Sequence, residues 1–261
     1  MATKLLASSP TVTATIHDFK VSCGHCRLKR KCFPLWLSID GIDELDSIIS
    51  HEETLQPNQH LFRDGGKFES LYVVRTGAFK VYNTTQAGKE QITGFYFPGQ
   101  VLGLNGIFGG MYESSAVALE TSAICEIPYL PLETLCVGNP ALQRQLFTLL
   151  SQEIVRAQQL VTLLGKRSAE QRVSFFLQEL VNSNIEIKLS ASHLRLTMRR
   201  VDIANHLGLT IETVSRVLSH MERIGVLQVD KREIAVVNAP VLLDMASLEY
   251  LEMYECNEPA P

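Results

Sequence analysis

The sequence predicts an α+β protein in which a β-roll is followed by a long helix and a C-terminal winged helix-turn-helix. Three observations support this prediction. Between Thr54 and Pro128, short apolar runs alternate with Gly, Asn and Pro, which is typical of many short strands in a roll or barrel. From Pro140 to Gly165, apolar residues recur at spacings of three and four, as in a helix. Further on, Ala204, Gly208 and Val214 have the spacing of a helix-turn-helix.

The composition limits the classes of protein to which this chain can belong. The chain has 261 residues, 46% hydrophobic and 20% charged, which suits a soluble protein of two domains. A net charge of -4 argues against a generally basic nucleic-acid coat protein, although residues 166–240 alone sum to +3. No apolar run approaches the roughly 20 residues that cross a bilayer, and the N-terminus is a poor secretory signal. We therefore expect a cytoplasmic protein that does not bind membranes.

Three cysteines follow a predicted flexible arm of 22 residues. Cys23, Cys26 and Cys32 form a C-x2-C-x5-C motif in the segment SCGHCRLKRKCFP. In a reducing compartment such cysteines favour metal binding or burial over disulfides, and thiolates select zinc, copper(I) or iron–sulfur clusters. A zinc site would need a further ligand such as His25, whereas a [4Fe–4S] cluster needs a fourth thiolate, for which Cys125 is the candidate. Spacing favours the cluster but leaves zinc and unliganded thiols open, while Cys136 and Cys256 are expected to be inert.

A short amphipathic helix is predicted from Ile39 to Ile49, before the strand-rich segment, in which Gly77 and Gly88 are predicted turn residues. The long helix after the strands has two apolar stripes. One has coiled-coil spacing and is the predicted dimer interface: Phe147, Leu150, Ile154, Ala157, Val161 and Leu164. The adjacent stripe comprises Leu142, Leu146, Leu149, Leu160 and Leu163. Two stripes need two surfaces to cover them, so we expect one to dock on the strand domain and the other on a second copy. The alternative is a single buried helix with a broad apolar face.

After a helix predicted from Ala169 to Val181, the segment RRVDIANHLGLTIETVSRVLSHMERIGVLQV fits a DNA-reading helix-turn-helix. The second helix begins near Ile211 and presents polar groups on its outer side, as major-groove readout requires: Glu212, Thr213, Ser215, Arg216 and Ser219. Arg216 can donate two hydrogen bonds to guanine, and Glu212 can accept one from cytosine. Arg199 and Arg200 could neutralise phosphates. A hairpin turning at Asp230–Lys231 would form the wing; the alternative is an ordinary helical hairpin in a globular core.

Four segments carry a family resemblance: the cysteine motif, EQITGFYFPGQVLGL, ALETSAICEIP and IANHLGLTIETVSR. Together they span about four-fifths of the chain, from Cys23 to Val237. With them the chain resembles oxygen-sensing transcription regulators of the FNR type, within the cyclic-AMP-receptor/FNR family. The resemblance implies a cyclic-nucleotide-binding-like β-roll as sensor domain and a [4Fe–4S] cluster with Cys125 as its fourth ligand.

The resemblance also implies a function. Oxygen would destroy the cluster, weaken the homodimer and lower its affinity for double-stranded DNA, with RNA polymerase as a further partner. Glu212, Ser215 and Arg216 would contact bases in half-sites resembling TTGAT and ATCAA. Cyclic nucleotides are not expected as ligands, because Leu104 follows Gly103, and Ser114 occupies the position of the phosphate-binding arginine of nucleotide-binding relatives.

The chain departs from the family pattern on the dimer seam. FNR-type relatives often carry an acidic residue where this chain has Ala157, so we expect the cluster-free protein to dimerise more readily than such relatives do. The predicted segments are the arm (1–22), the cysteine loop with the β-roll sensor (23–137), the dimerisation helix (138–166), the DNA-binding domain (167–240) and an acidic tail (241–261).

Three other functions compete with this prediction. The first is a zinc-stapled or ligand-gated regulator of the same fold. The second is an iron–sulfur enzyme, although the sequence has no nucleophile–base pair or phosphate loop. The third is a haem- or nitric-oxide-responsive relative, for which the cysteine motif would have no role.

Overall fold

The computed structural model describes residues 39–50 and 54–247, together with Cys23, Cys26, Leu28 and Cys32. The predicted arm and the tail beyond residue 247 lie outside this range. Within it, no helix combines the length and the apolar composition needed to cross a membrane.

Two four-stranded antiparallel sheets form the N-terminal domain. Helix α1 (Ile39–Ile48) precedes eight strands: β1 (Thr54–Leu55), β2 (His60–Phe62), β3 (Ser70–Thr76), β4 (Phe79–Thr84), β5 (Glu90–Tyr96), β6 (Val101–Leu102), β7 (Ser115–Ala118) and β8 (Ser122–Pro128). One sheet has the order β1-β8-β3-β6 and the other β2-β7-β4-β5, with a short helix α2 (Gly106–Gly109) between β6 and β7. Buried side chains from both sheets, including Leu55, Val74, Phe79 and Ile124, share one core, so the predicted β-roll is confirmed.

The turn between β3 and β4 depends on the glycine that the sequence indicates. Gly77 has a φ of +81°, which disfavours any residue with a side chain. A Cβ atom there would lie 2.1 Å from the Ser122 Oγ of β8. The hydroxyl of Ser122 in turn accepts a hydrogen bond from the Ala78 backbone N–H. The glycine therefore permits both the backbone turn and close packing of the two chain segments.

Helix α3 (Tyr129–Gly138) leads into helix α4 (Pro140–Lys166), which matches the predicted long helix. Its start is defined by Asn139, whose side chain accepts a hydrogen bond from the Leu142 N–H, and by Pro140 in the first turn. In the second stripe, Leu142, Leu146 and Leu163 are buried, and Leu149 and Leu160 are half-buried. The predicted docking on the strand domain holds for Leu142, Leu146 and Leu149, whereas Leu160 and Leu163 pack on the core of the C-terminal domain.

The coiled-coil stripe faces outward. Phe147, Ile154 and Val161 are 61%, 59% and 72% exposed, Ala157 is exposed, and Leu150 and Leu164 are half-buried. Three large apolar side chains in a row along one helix leave a surface that a second apolar surface could cover.

The C-terminal domain contains helix α5 (Ala169–Glu186), strand β9 (His193–Arg195), helix α6 (Arg200–His206), helix α7 (Ile211–Arg223), strands β10 (Leu227–Asp230) and β11 (Glu233–Val236), and helix α8 (Ala239–Ala246). Helix α5 starts at a capping box of Ser168 and Gln171 and runs five residues past the predicted end at Val181. In the added turns, Ser183 is buried and Asn184 donates hydrogen bonds to the carbonyls of Ser190 and His193. Tertiary contacts thus override local propensity.

The wing is a hairpin of β10 and β11, and β9 pairs with the outer edge of β11. Asp230 pairs with Glu233, so the turn consists of Lys231 and Arg232, one residue later than predicted. Lys231 has a φ of +55°. Beyond the wing, α8 packs against α5 and buries Leu242 and Ala246 completely or nearly so. The start of the acidic tail is therefore part of the C-terminal core.

Candidate metal centre and DNA-reading helix

The four candidate ligands come from the N-terminal loop and from the middle of a strand. Cys125 lies in β8, opposite Val73 of β3. The loop is held by backbone contacts: the Cys23 N–H donates to the Asp46 carboxylate at 2.9 Å, and the Cys26 N–H donates to the Cys23 carbonyl at 3.3 Å. The Cys32 N–H donates to the Leu28 carbonyl at 2.9 Å. Helix α1, which carries Asp46, thus anchors the first cysteine.

Three of the four candidate ligands meet in one apolar cluster. Cys23 is buried in it, and Cys32 and Cys125 pack against it while remaining partly accessible. The same cluster contains Leu142 and Leu146 of α4. The cysteine loop therefore shares a core with the first half of the long helix.

The thiols also influence one another electrostatically. Burial raises the pKa of Cys23 far above its usual range, the hydrogen bond and charge of Asp46 raise it further, and Cys32 and Cys125 add to the effect. Burial raises the pKa of Cys125 to about 11, with Arg75 opposing and Cys26 reinforcing the shift. Such effects act over short distances, so the structure brings Cys125 next to the loop cysteines. Burial thus favours the protonated form of both Cys23 and Cys125.

Four thiols form the donor set that a [4Fe–4S] cluster requires. Across residues 39–50, 54–247 and the four described loop positions, no three His, Cys, Asp or Glu side chains converge closely enough to hold one metal ion. A [4Fe–4S] cluster takes four thiolates, each on a different iron, so its ligands lie farther apart than those of one zinc ion. Four cysteines drawn together from a loop and a strand fit that requirement. Cys136 is buried in α3, and His25 and Cys256 lie outside the described residues.

The helix-turn-helix has the geometry that its sequence predicts. Gly208, between α6 and α7, has a φ of +61°, and Ala204 and Val214 are 2% and 0% exposed where the two helices pack. The Thr210 hydroxyl caps α7 by accepting a hydrogen bond from the Thr213 N–H. The alternative of a plain helical hairpin is excluded, because the wing follows directly.

The predicted DNA contacts lie on one accessible side of α7 and at the start of α6. Glu212 and Arg216 are exposed, and the Arg216 guanidinium donates to the Thr213 hydroxyl at 3.3 Å. Ser215 is half-buried and accepts a hydrogen bond from Arg200 at 3.3 Å. The Arg199 guanidinium is mostly exposed but forms an ion pair with Asp202 at 3.0 Å. The six predicted DNA-contacting residues thus lie on α7 and at the start of α6, where Arg200 contacts Ser215 and Arg216 contacts Thr213.

Comparisons with known proteins agree with this architecture. Residues 52–139 match the cyclic nucleotide-binding domain, and residues 171–245 match the Crp-like helix-turn-helix domain. The transcriptional activator protein anr of Pseudomonas aeruginosa is 40% identical over 86% of this chain and 92% of its own length. The fumarate and nitrate reduction regulatory protein of Vibrio cholerae is 39% identical over 87% of this chain and 91% of its own.

The chain belongs to the FNR-type regulators of the cyclic-AMP-receptor/FNR family. Members of this family are DNA-binding transcription regulators and not enzymes. The solved structure of FixK2 from Bradyrhizobium japonicum has the same fold, with a TM-score of 0.71 and 28% identity, and covers 77% of this chain and 98% of FixK2. For this FNR-type regulator, the iron–sulfur enzyme considered above is therefore excluded.

Sequence patterns did not indicate two groups of residues that connect the parts of the regulator. Tyr96 of β5 donates a short hydrogen bond of 2.5 Å to Glu153 of α4, and Arg156 lies over the Tyr96 ring. Lys80 and Asp202 form an ion pair between the two domains. Both groups join residues that are far apart in sequence, and no local spacing could have identified them.

Proposed function

We propose that this protein is a DNA-binding regulator whose dimerisation and DNA affinity depend on an oxygen-labile [4Fe–4S] cluster, and that it switches gene expression between aerobic and anaerobic states. The cluster would be held by Cys23, Cys26, Cys32 and Cys125. The observation that carries this proposal is the shared apolar cluster in which Cys23, Cys32 and Cys125 contact the core that also holds Leu142 and Leu146 of α4. The bound cluster would supply iron–sulfur chemistry that oxygen destroys.

The residues of this chain provide a route from the cysteines to the dimer helix. Asp46 fixes the Cys23 backbone to α1, α1 packs on α3, and α3 packs on α4. When a cluster binds the four thiolates, it would fix the position of the loop and, through these contacts, the positions of the three helices. When the thiolates are released, the first half of α4 loses part of its support. The cluster can shift this equilibrium only by as much as it binds the dimeric arrangement more tightly than the other one.

Homodimerisation would use the outward stripe of α4. Phe147, Leu150, Ile154, Ala157, Val161 and Leu164 follow the coiled-coil spacing. Covering the exposed parts of the three largest, Phe147, Ile154 and Val161, would contribute about 1 kcal/mol or more for each side chain. A parallel pair of these helices would place two recognition helices on one face of the dimer, about one DNA turn apart.

The proposed DNA contacts divide into two kinds. Glu212, Ser215 and Arg216 would read bases in TTGAT and ATCAA half-sites from the major groove. Arg199 and Arg200 would contact the DNA backbone and position the helix, and Thr213 is a further proposed contact in the major groove. RNA polymerase is the proposed protein partner at the promoter.

The interior of the β-roll supports the proposal that no cyclic nucleotide binds. The cavity next to Gly103 and Ser114 has a volume of about 90 Å³, whereas small-molecule sites usually have about 300 Å³ or more. Phe62 and Tyr112 fill the adjoining space as a stacked pair with centroids 4.1 Å apart. Ser114 is buried and accepts a hydrogen bond from Asn105, so it offers no cation for a phosphate.

The test compares Cys125→Ser with Cys136→Ser after anaerobic purification. Both thiols are partly or fully buried next to the same apolar cluster, but only Cys125 is a proposed ligand. Wild type and Cys136→Ser should contain about four irons and four sulfides per chain and should lose DNA binding in a gel shift after exposure to air. Cys125→Ser should lose iron, sulfide and the air response together. Stoichiometric zinc without sulfide in the wild type would support the zinc-stapled alternative, and a full cluster in Cys125→Ser would refute the ligand set.

A further inference from the structure

The sensor domain and the DNA-reading domain meet at the edge of a sheet. Strand β5 is the outermost strand in the order β2-β7-β4-β5, so one side of its backbone lacks a neighbouring strand. Asn205, near the end of α6, occupies this edge. It accepts a hydrogen bond from the Ile92 N–H at 2.6 Å and donates to the Glu90 carbonyl at 2.8 Å. The Gln91 amide donates to the Asn205 carbonyl at 2.9 Å. One side chain thus continues the hydrogen-bonding pattern of the sheet into the other domain.

An ion pair and a group of rings flank this contact. The Lys80 ammonium of β4 lies 3.2 Å from the Asp202 carboxylate, and the two side chains are 13% and 5% exposed. Beside Asn205, the Phe95 ring contacts Phe176 and His206 with centroids 5.7 Å and 5.2 Å away. These contacts are largely shielded from water, so they hold their geometry better than an exposed ion pair does. The Arg195–Glu120 ion pair also joins the domains, but the Arg195 side chain is 66% exposed, so this pair contributes little to the stability of the junction.

The far side of the helix-turn-helix is attached to the long helix. The Arg172 guanidinium donates to the Leu207 carbonyl at 3.0 Å and to the Leu164 carbonyl at 2.8 Å. Leu164 lies in the last turns of α4, and Leu207 lies in the turn between α6 and α7. The reading helix is therefore held from two directions, by β5 of the sensor domain and by the end of the dimer helix.

We propose that Asn205, together with the Lys80–Asp202 ion pair, is a positioning element that fixes the reading helix relative to the dimer helix and thereby sets the half-site spacing that the dimer accepts. This inference rests on the proposed function, because it requires a dimer that reads two half-sites. Asn205 is not a base-contacting residue. Its contacts are to β5, whereas Glu212 and Arg216 are exposed on α7.

Two consequences follow from this geometry. A rigid junction allows only one separation of the two reading helices, so DNA with another spacing must bend or twist to bind. If the junction contacts are removed, each DNA-reading domain can rotate about its connection to α4. The dimer can then bind half-sites at an altered spacing. Affinity for a single half-site should stay the same, because the surface of α7 is unchanged.

The experiment uses the full chain, purified anaerobically, and the variants Asn205→Ala and Lys80→Met. Asn83→Ala is the matched control, since Asn83 also donates a hydrogen bond to a backbone carbonyl, that of Glu113. Asn83 lies opposite Gln91 in the same sheet, but this side-chain hydrogen bond stays within the sensor domain. Fluorescence anisotropy would measure Kd for three DNAs: the TTGAT/ATCAA palindrome, the same palindrome with one base pair inserted between the half-sites, and a single half-site. One inserted base pair moves the half-sites apart by about 3.4 Å and rotates them by about 35°.

Wild type and Asn83→Ala should bind the original palindrome about tenfold or more tighter than the lengthened one. Asn205→Ala should reduce this preference to about threefold or less, and Lys80→Met should reduce it to an intermediate value. All four proteins should bind the single half-site equally. A protein that is merely less stable would lose half-site and palindrome binding together, so the spacing preference separates positioning from folding.

Amide hydrogen exchange without DNA gives an independent readout. The Ile92 N–H, which donates to Asn205, should exchange faster in Asn205→Ala, while the amides within the β4–β5 ladder keep their protection. Equal spacing preference in wild type, Asn205→Ala and Lys80→Met would overturn the inference and leave the proposed function intact. A wild type that binds the palindrome no better than a half-site would overturn both.

Discussion

Introducing a carboxylate on the dimer seam is expected to shift the monomer–dimer equilibrium of the cluster-free protein toward the monomer. Ala157 is exposed on α4, between Ile154 and Val161, which are 59% and 72% exposed. The nearest acid on this helix, Glu153, accepts a hydrogen bond from Tyr96 of the sensor domain. Wild type therefore has no acid within the predicted seam, and Ala157→Asp would add one from each protomer.

The size of the effect follows from Coulomb's law. Helices pack at about 8–10 Å between axes, so two side chains facing each other across the seam lie about 6 Å apart. At an effective dielectric constant of about 20, two unit charges at that distance repel by about 3 kcal/mol. The dimer dissociation constant should then rise about 100-fold.

Sedimentation velocity of the cluster-free protein, under reducing conditions and over a range of micromolar concentrations, measures this shift. Ala157→Asn is the control, because it has nearly the same shape as the aspartate without its charge. We expect the asparagine variant to dimerise far better than the aspartate variant, and we expect added salt to restore part of the loss in the latter. The reasoning fails if cluster-free wild type is a clean monomer at micromolar concentration, or if both variants weaken the dimer equally.

Three further predictions concern stability, each measured by denaturant unfolding. Gly77→Ala should destabilise the sensor domain by about 2 kcal/mol or more, because its φ is +81° and the new Cβ would clash with Ser122. Gly88→Ala, in a turn with open space around it, should lower the free energy of unfolding by less. Equal losses in the two variants would contradict this reasoning. Val214→Ala should lower the free energy of unfolding by about 2 kcal/mol, because truncating this fully buried side chain leaves a cavity between α6 and α7. An unchanged denaturant midpoint would mean that the surrounding side chains close the cavity. Burial would raise the pKa of Asp202, but hydrogen bonds from Arg199 and the charge of Lys80 outweigh it and hold the pKa below its usual range. The ionised Asp202 carboxylate therefore contributes its full stabilisation above about pH 4, and this contribution is lost as the pH falls through the lowered pKa of the folded state. Wild type should then lose more stability on acidification than Asp202→Asn does. Parallel pH profiles of the two proteins would refute the assignment.

The elements that local patterns predict are those whose physics is local. The long helix was predicted within a residue because Asn139 and Pro140 mark its start and the apolar spacing continues to Leu164. The helix-turn-helix was predicted because Ala204, Gly208 and Val214 each meet a steric need at a fixed spacing. The extension of α5 past Val181 was missed, since its polar last turns are held by contacts with later residues and not by their own propensity.

The candidate metal centre was predicted only in part from local spacing. The C-x2-C-x5-C motif identifies Cys23, Cys26 and Cys32 as a group, because a short loop can bring them together without help from the fold. Cys125 comes from a strand about 90 positions later, and the motif alone does not select it over Cys136. The family resemblance selected it, and the structure brings it beside the loop.

The sequence by itself determined the strand-rich segment, the long helix, the helix-turn-helix, the thiol-rich loop and the chemistry of the reading helix, because periodicity, glycine geometry and side-chain type act between near neighbours. Only the tertiary structure decided which stripe of α4 is covered, that Cys125 lies with the loop cysteines, and that Asn205 completes the edge of β5. These are contacts between segments separated by roughly 100 residues, and their energies depend on burial and on distances that exist only after the chain has folded.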